Sequence, residues 1–356
     1  MTGGCGYIGA HVAAALLART PWRVRLADSF VNSGPEVRDA IAAAVGADAA
    51  TGADAATGAD VDARLTLHAC DLRDARALAA LPDADAVVHM AALKSVPASV
   101  ADPVSYYDNN LRGLVNVLAW SRERGCCGVV YSSSCSVYGD VSATGGPDPA
   151  RRTVTEATPM GPPLSPYAHT KQLNEAILRL YPEARRMILR YFNPVGAHAS
   201  GLLGDRPDGS AVSSLAAALC DAAAAGTPFT IHGDDYPTRD GTCVRDYVHV
   251  CDIAEAHLAA LRWAMRREEG PALDVVNLGS AEGHTVREAV AAFERATGET
   301  LDVRVGPRRA GDIAAIENAS EKALGTLDWA PTRTLDEMMA SAWAWHERAG
   351  VEAIAP

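Results

Sequence analysis

Met1-Thr2-Gly3-Gly4-Cys5-Gly6-Tyr7-Ile8-Gly9 opens the chain, and the reading of the remainder depends on this stretch. Glycines at Gly3, Gly6 and Gly9 allow a tight turn, close approach of the backbone to a pyrophosphate, and close packing of the helix that follows. A helix is expected over Tyr7–Arg19 and a strand over Trp22–Ala27. Asp28 ends that strand, where a carboxylate accepts hydrogen bonds from an adenosine ribose and repels a 2′-phosphate, which favours NAD over NADP. A turn of this kind normally follows a strand, yet only Met1 and Thr2 precede Gly3. The first strand is therefore expected to be truncated as written, with the start placed too late, because losing a central strand costs more than the ~5–15 kcal/mol that stabilises a whole domain.

Further strand-like apolar runs fall at Leu65–Cys70, Ala86–Met90, Gly128–Ser132 and Met187–Arg190, alternating with helical runs at Pro103–Gly125 and Pro166–Tyr181. That alternation predicts an α/β fold, a Rossmann-like doubly wound parallel sheet with helices on both faces. From about Asn193 the pattern breaks into a Gly/Pro-rich stretch, an Ala-rich helix and short apolar runs. The expected division is a dinucleotide-binding domain over residues 1–193 and a smaller α/β substrate lobe over 194–356, with some later segments returning to the first domain. The near-duplicate within Ala47–Ala63 lacks bulky apolar residues and predicts an expanded surface loop. Asp140–Pro163, polar and rich in Pro and Gly, reads equally as a mobile border of the site or as a tolerated loop.

The 356 residues carry a formal net charge of −12, which argues against nucleic acid or a membrane surface as partner, since both are polyanions. No apolar run of about 18 residues and no secretory start is present, so the cytoplasm is the expected compartment. The eight cysteines show none of the paired spacings of zinc or redox sites, and no metal is expected.

Tyr167 and Lys171 stand four apart on the expected Pro166–Tyr181 helix, so their side chains share one face. A Tyr-x-x-x-Lys pair alone is common. Here it follows a Gly-rich nucleotide turn, a ribose-binding Asp28 and a strand ending in Ser132-Ser133-Ser134 at the sheet's carboxyl edge. Tyrosine ordinarily titrates near pH ~10, so Tyr167 acts as a base only beside positive charge, which Lys171 and an oxidised nicotinamide supply. Ser134 is placed to orient the substrate hydroxyl or relay its proton. His169 lies between the pair but points about 100° from each, which removes it as acid or base.

Together TGGCGYIG, AALKSV, YYDNN, SSSCSVYGD, SPYAHTK, LRYFNPVGAH, HGDDYPTRDGTCVRDYVHV and RRAGD resemble UDP-glucose 4-epimerases, of the extended short-chain dehydrogenase/reductase family, over nearly the whole chain. The resemblance implies an isomerase of galactose and other carbohydrate metabolism that interconverts UDP-galactose and UDP-glucose. It oxidises C4, lets the keto sugar turn, and reduces it again, with NAD retained. Carried over by position, Gly3, Gly6, Tyr7, Ile8, Gly9, Asp28, Asn32, Asp71, Leu72, Lys94, Asn109, Tyr167, Lys171 and Phe192 hold NAD. Tyr167, Lys171 and Ser134 are catalytic. The UDP-hexose falls to Ser134, Tyr167, Asn193, Ser214, the Thr230-Ile231-His232 strand, Arg245 and Arg309 at the diphosphate, and Asp312 at the nucleoside. A homodimer through helices such as Pro103–Gly125 and Pro166–Tyr181 is implied as well.

The chain departs from the family pattern at Ser213-Ser214, where Asn-Asn is usual, and Ile316 occupies a position beside the sugar that leaves N-acetylated substrates open. Ser134-Cys135-Ser136 lacks the acid that a 4,6-dehydratase needs. Alternatives are a 4-epimerase for UDP-N-acetylhexosamine, UDP-xylose or UDP-glucuronate, or a non-catalytic NAD-binding protein if the short start is real. Arg245 and Arg309 also admit a structural reading as ion pairs with Asp246 or Asp312.

Overall fold

The computed structural model describes residues 1–50, 58–141, 152–205, 214–266, 272–309 and 311–354. Its strands are β1 (Val24–Asp28), β2 (Leu65–Ala69), β3 (Ala86–His89), β4 (Gly128–Ser134), β5 (Thr153–Val154), β6 (Arg185–Tyr191) and β7 (Asn193–Val195). There follow β8 (Phe229–His232), β9 (Val244–His249), β10 (Leu273–Leu278), β11 (Gly283–Thr285), β12 (Val303–Gly306) and β13 (Ala315–Asn318).

β3, β4, β6 and β10 run side by side in parallel, and β1 pairs in parallel with β2. Met1 and Thr2 join the two groups. Thr2 bridges Ala27 on one side and His89 on the other. Its amide donates to Val88 O at 2.9 Å, while Gly3 N donates to Ala27 O at 2.9 Å and Met90 N to Thr2 O at 3.1 Å. Two residues thus hold the centre of the sheet and aim the glycine turn. Below them lies a cavity of ≈ 50 Å³ lined by residues that include Met1, Arg25, Ala86, Val87 and Trp120, whose buried indole Nε1 has no acceptor among the described residues. The sheet closes above this cavity through the Thr2 bridges.

Alternate residues of the strands serve opposite faces, as a period of two demands. Val88, Val130, Leu189 and Val276 pack with the Tyr7–Arg19 and Val250–Ala264 helices, while Val87, Val129 and Ile188 meet the Gly113–Glu123 and Pro166–Leu180 helices. Each such aliphatic side chain contributes roughly 1.5–3 kcal/mol on burial. The Val250–Ala264 helix and β10 come late in the chain yet belong to this sheet. A second core gathers Leu219, Ile231, Phe293 and Met339 where β7–β9 and β11–β13 meet the Leu215–Ala225, Val286–Thr297 and Leu335–Ile354 helices.

The single helix expected over Pro103–Gly125 is instead helical at Pro103–Tyr107, a π-turn at Asp108–Arg112, and helical again at Gly113–Glu123. Periodicity misses the bulge because its cause is not local. Asn110 is buried and trades its carboxamide with Leu93 N (2.9 Å), Leu93 O (3.1 Å) and Thr170 Oγ1 (3.1 Å), which draws the turn inward. The loop expected at Ala47–Ala63 is helical at its described ends, within Val37–Ala50 and Gly58–Arg64, and residues 51–57 lie outside the described residues. Arg64 pins the second of these helices through Leu17 O and Thr20 O. In Asp140–Pro163, residues 142–151 lie outside the described residues, and Thr153–Val154 pairs in parallel with β13.

Candidate active site

The glycine turn is built by close contacts. Gly3 has φ +66, and a Cβ there would meet the backbone of Ala91 at 2.6 Å; a Cβ on Gly9 would stand 2.3 Å from Gly3 O. Gly6 caps the 13-residue Tyr7–Arg19 helix without a side-chain hydrogen bond, so the first amides point into the turn. These features fit a dinucleotide pyrophosphate, which needs backbone donors and no side chain in the way. Asp28 is buried at the end of β1 and ties the turn down, accepting from Cys5 N (3.0 Å), Phe30 N (3.0 Å) and Ser33 Oγ (3.3 Å). Tyr7 leaves only its backbone to the turn, because its hydroxyl donates to Gly196 O at 2.5 Å, just beyond β7. Ile8 packs against the main core.

Around this turn the other expected NAD contacts are spread along the carboxyl edge. Asn32 is exposed after β1. Asp71 is paired with Arg73 at 2.6 Å, which holds its carboxyl below the usual range, and Leu72 is buried beside it. Asn109 donates to Asn110 Oδ1 at 2.9 Å within the π-turn. Lys94 is half-exposed with Nζ 3.9 Å from Asp205, and Phe192 is buried.

The Pro166–Leu180 helix is fixed by Ser165, whose hydroxyl accepts from Ala168 N, and by Pro166 in its first turn. Lys171 lies 5% exposed with Nζ donating to Ser132 O at 2.7 Å and standing 5.8 Å from the Tyr167 ring centre. Burial pulls Lys171 down to about 8, with the Glu175 carboxylate opposing. Burial also pushes Tyr167 up to about 12, against a hydrogen bond to Ser134 that lowers it. The expected lowering by Lys171 does not overcome this desolvation. Ser134 ends β4 and accepts from Ser136 N at 3.2 Å. His169 points away, to Tyr107 OH at 2.9 Å.

The residues expected to hold the UDP-hexose follow from Asn193 onward, in the segment expected to form a second lobe. Asn193 on β7 carries a buried Oδ1 that accepts no hydrogen bond among the described residues. Ser214 caps the Leu215–Ala225 helix by accepting from Ala217 N, and it donates to Asp205 at 2.8 Å. On β8, Thr230 is exposed and His232 half-buried, whereas Ile231 faces the lobe's own core. Arg245 reaches Ile313 O at 2.9 Å and Asp312 at 3.6 Å; Arg309 donates to Asp312 at 2.9 Å. Ile316 is buried with Val137, Tyr138 and Phe192. The sequence reading overlooked Glu175 and Arg190, although the spacing of Glu175 from Lys171 was a signal. It also overlooked Asp205, which meets both Lys94 and Ser214.

A dinucleotide turn on the same sheet edge as a serine, a tyrosine and a buried lysine is the equipment of nicotinamide-dependent alcohol oxidation. This chain belongs to the NAD dependent epimerase/dehydratase family, whose model matches residues 1–279. It is 38% identical to the UDP-glucose 4-epimerase of Erwinia amylovora, across 98% of this chain and 97% of that one. Among solved structures it resembles the UDP-glucose-4-epimerase of Stenotrophomonas maltophila with bound NAD and formylated UDP-arabinopyranose, at 36% identity, TM-score 0.86, and 99% and 98% of the two chains. It also resembles that of Bifidobacterium longum in complex with NAD+ and UDP, at 34% identity, TM-score 0.84 and 98% of each chain.

Proposed function

We propose that this protein interconverts UDP-galactose and UDP-glucose by oxidation and re-reduction at C4 of the hexose. The carrying observation is the convergence of Tyr167, Lys171 and Ser134 at the carboxyl edge of the parallel sheet, with Arg245 and Arg309 gathered on the second lobe. When bound, NAD takes up and returns the hydride. Tyr167 removes the proton of the C4 hydroxyl and gives it back, Ser134 orients that hydroxyl, and Lys171 holds positive charge beside the Tyr167 phenolate. Arg245 and Arg309 hold the diphosphate and Asp312 the nucleoside. The sugar then has few directional contacts, and the ketone can turn and present its other face.

A homodimer fits the exposed valines Val96, Val100 and Val104 on the two short helices packed against the Pro166–Leu180 helix, together with exposed Leu164. Among the described residues no helix is long and apolar enough to cross a membrane, and the cytoplasm is the expected compartment. The test is conversion of UDP-galactose to UDP-glucose without added reductant. The Tyr167→Phe protein should lose turnover while keeping its NAD, and full activity in that variant would sink the assignment of Tyr167.

A further inference from the structure

Glu175 lies one helical turn beyond Lys171 and is fully buried, a costly place for a carboxylate. It is saturated with donors. Ser133 Oγ donates at 2.6 Å and Arg190 Nε at 2.9 Å to one oxygen; Arg190 Nη2 at 2.8 Å and Arg179 Nη2 at 3.1 Å donate to the other. Arg190 is 2% exposed and passes the connection on, to Tyr138 OH at 2.9 Å, which in turn donates to Asn277 Oδ1 at 2.6 Å. The helix bearing Tyr167 and Lys171 is thus bolted to β4, β6 and β10 through one carboxylate.

The attachment falls at a telling point of β4. Ser133 sits between Ser132, whose carbonyl receives Lys171 Nζ, and Ser134, the expected partner of the sugar hydroxyl. Among the described residues, the other groups facing Lys171 give it no balancing negative charge. Tyr131 presents its ring at 5.1 Å, and His89, stacked on that ring at 5.9 Å, is held neutral by burial, pulled down to about 3. Tyr167 is protonated at neutral pH unless its neighbours are cationic, and Tyr191 is neutral and directed to Ser132 Oγ and His257. Arg190 and Arg179 offset part of the charge on Glu175, yet that carboxylate remains the group whose field favours a protonated Lys171.

We propose that Glu175 is a positioning residue of this reaction, which holds the Ser132 carbonyl and Ser134 hydroxyl in register with the helix and balances the buried positive charge of Lys171. The inference rests on Tyr167 and Lys171 being the catalytic pair. A purely structural ion pair between Glu175 and Arg190 would not influence the pH dependence of turnover. A charge-balancing Glu175 would, because the reaction needs Lys171 protonated, which sets the alkaline limb, and Tyr167 deprotonated, which sets the acid limb once the positive charge of the bound nicotinamide lowers it.

The experiment is the pH profile of kcat for the NAD-loaded protein and for Glu175→Gln, Glu175→Asp and Glu175→Gln/Arg190→Met, with bound NAD measured in each. In Glu175→Gln the alkaline limb should move toward neutrality by about one pH unit with the acid limb unmoved, and Glu175→Asp should restore it. If the single Glu175→Gln protein does not fold, the double variant, which leaves no stranded buried guanidinium, is read in its place, with a smaller shift in the same direction expected because the opposing Arg190 charge is removed as well. An alkaline limb coincident with wild type in a folded, NAD-bearing variant overturns the proposal. Lys171→Met and Tyr167→Phe run alongside. If either keeps full activity, the catalytic assignment itself has failed; if both are inactive and the limb is still unmoved, only the role of Glu175 has.

Discussion

Arg245 on β9 reaches across to Asp312, with Nη2 3.6 Å from Oδ1, while the other oxygen of that carboxylate takes Arg309 Nε at 2.9 Å. The two arginines are therefore ion-paired, as the structural reading of the sequence had it, and they are also gathered into one place where a diphosphate would find both. Charge-assisted hydrogen bonds contribute about 1.5–3 kcal/mol, so Arg245→Ala should weaken UDP binding roughly 10- to 100-fold. Arg309 is 54% exposed against 17% for Arg245, and solvent screening should make Arg309→Ala the milder change. Calorimetric titration with UDP measures both, and unchanged affinity in Arg245→Ala would remove it from the site.

Asp28 anchors the glycine turn through Cys5 N as well as standing where a ribose is expected. Asp28→Ala should therefore strip NAD from the purified protein, while the chemical step, measured with saturating NAD, changes little. Absorbance and enzymatic assay of cofactor released on denaturation distinguish this variant from Tyr167→Phe, which should retain NAD.

Acid should destabilise the fold. Burial pulls His257 and His249 down to about 4, and His89 and His11 down to about 3. Each folded value lies below the unfolded value of ~6.5, so between about pH 3 and 6.5 the unfolded chain binds more protons and stability rises with pH. The contribution of these neutral rings is complete above pH ~6.5 and is lost as pH falls toward the folded values. Asp246 works the other way. Burial pushes it up to about 6 from 3.8, so its contribution is complete below 3.8 and is lost as pH rises through about 6. Four histidines outweigh one aspartate. Urea unfolding midpoints should fall between pH 7.5 and 5, and His257→Gln should flatten that slope.

The cavity under Met1 offers a stabilising change. A few β-branched residues added ahead of Met1 would continue the Thr2 bridges downward between β1 and β3 and fill the ≈ 50 Å³ space. Filling that volume contributes about 1 kcal/mol at ~24 cal/mol per Å³, and each new strand hydrogen bond about as much. The melting temperature should rise by several degrees, checked by thermal denaturation; an unchanged value would show that the added residues do not enter the sheet.

What the sequence determined by itself was local. The glycine spacing, Asp28 at a strand end, and the Tyr167–Lys171 pair follow from covalent spacing on regular elements, whose periods of 2 and 3.6 convert position into direction. Strand identities followed for the same reason, usually within two residues at either end. The tertiary structure alone decided the rest. The π-turn answers to Asn110 finding Leu93 and Thr170, and the closed centre of the sheet to Thr2 finding both Ala27 and His89. Glu175 is satisfied by Arg190 from another strand, and Arg245 meets Arg309 through Asp312. In each case a polar group shielded wholly or partly from water needs a partner, and folding brings that partner from a part of the chain to which no local period points.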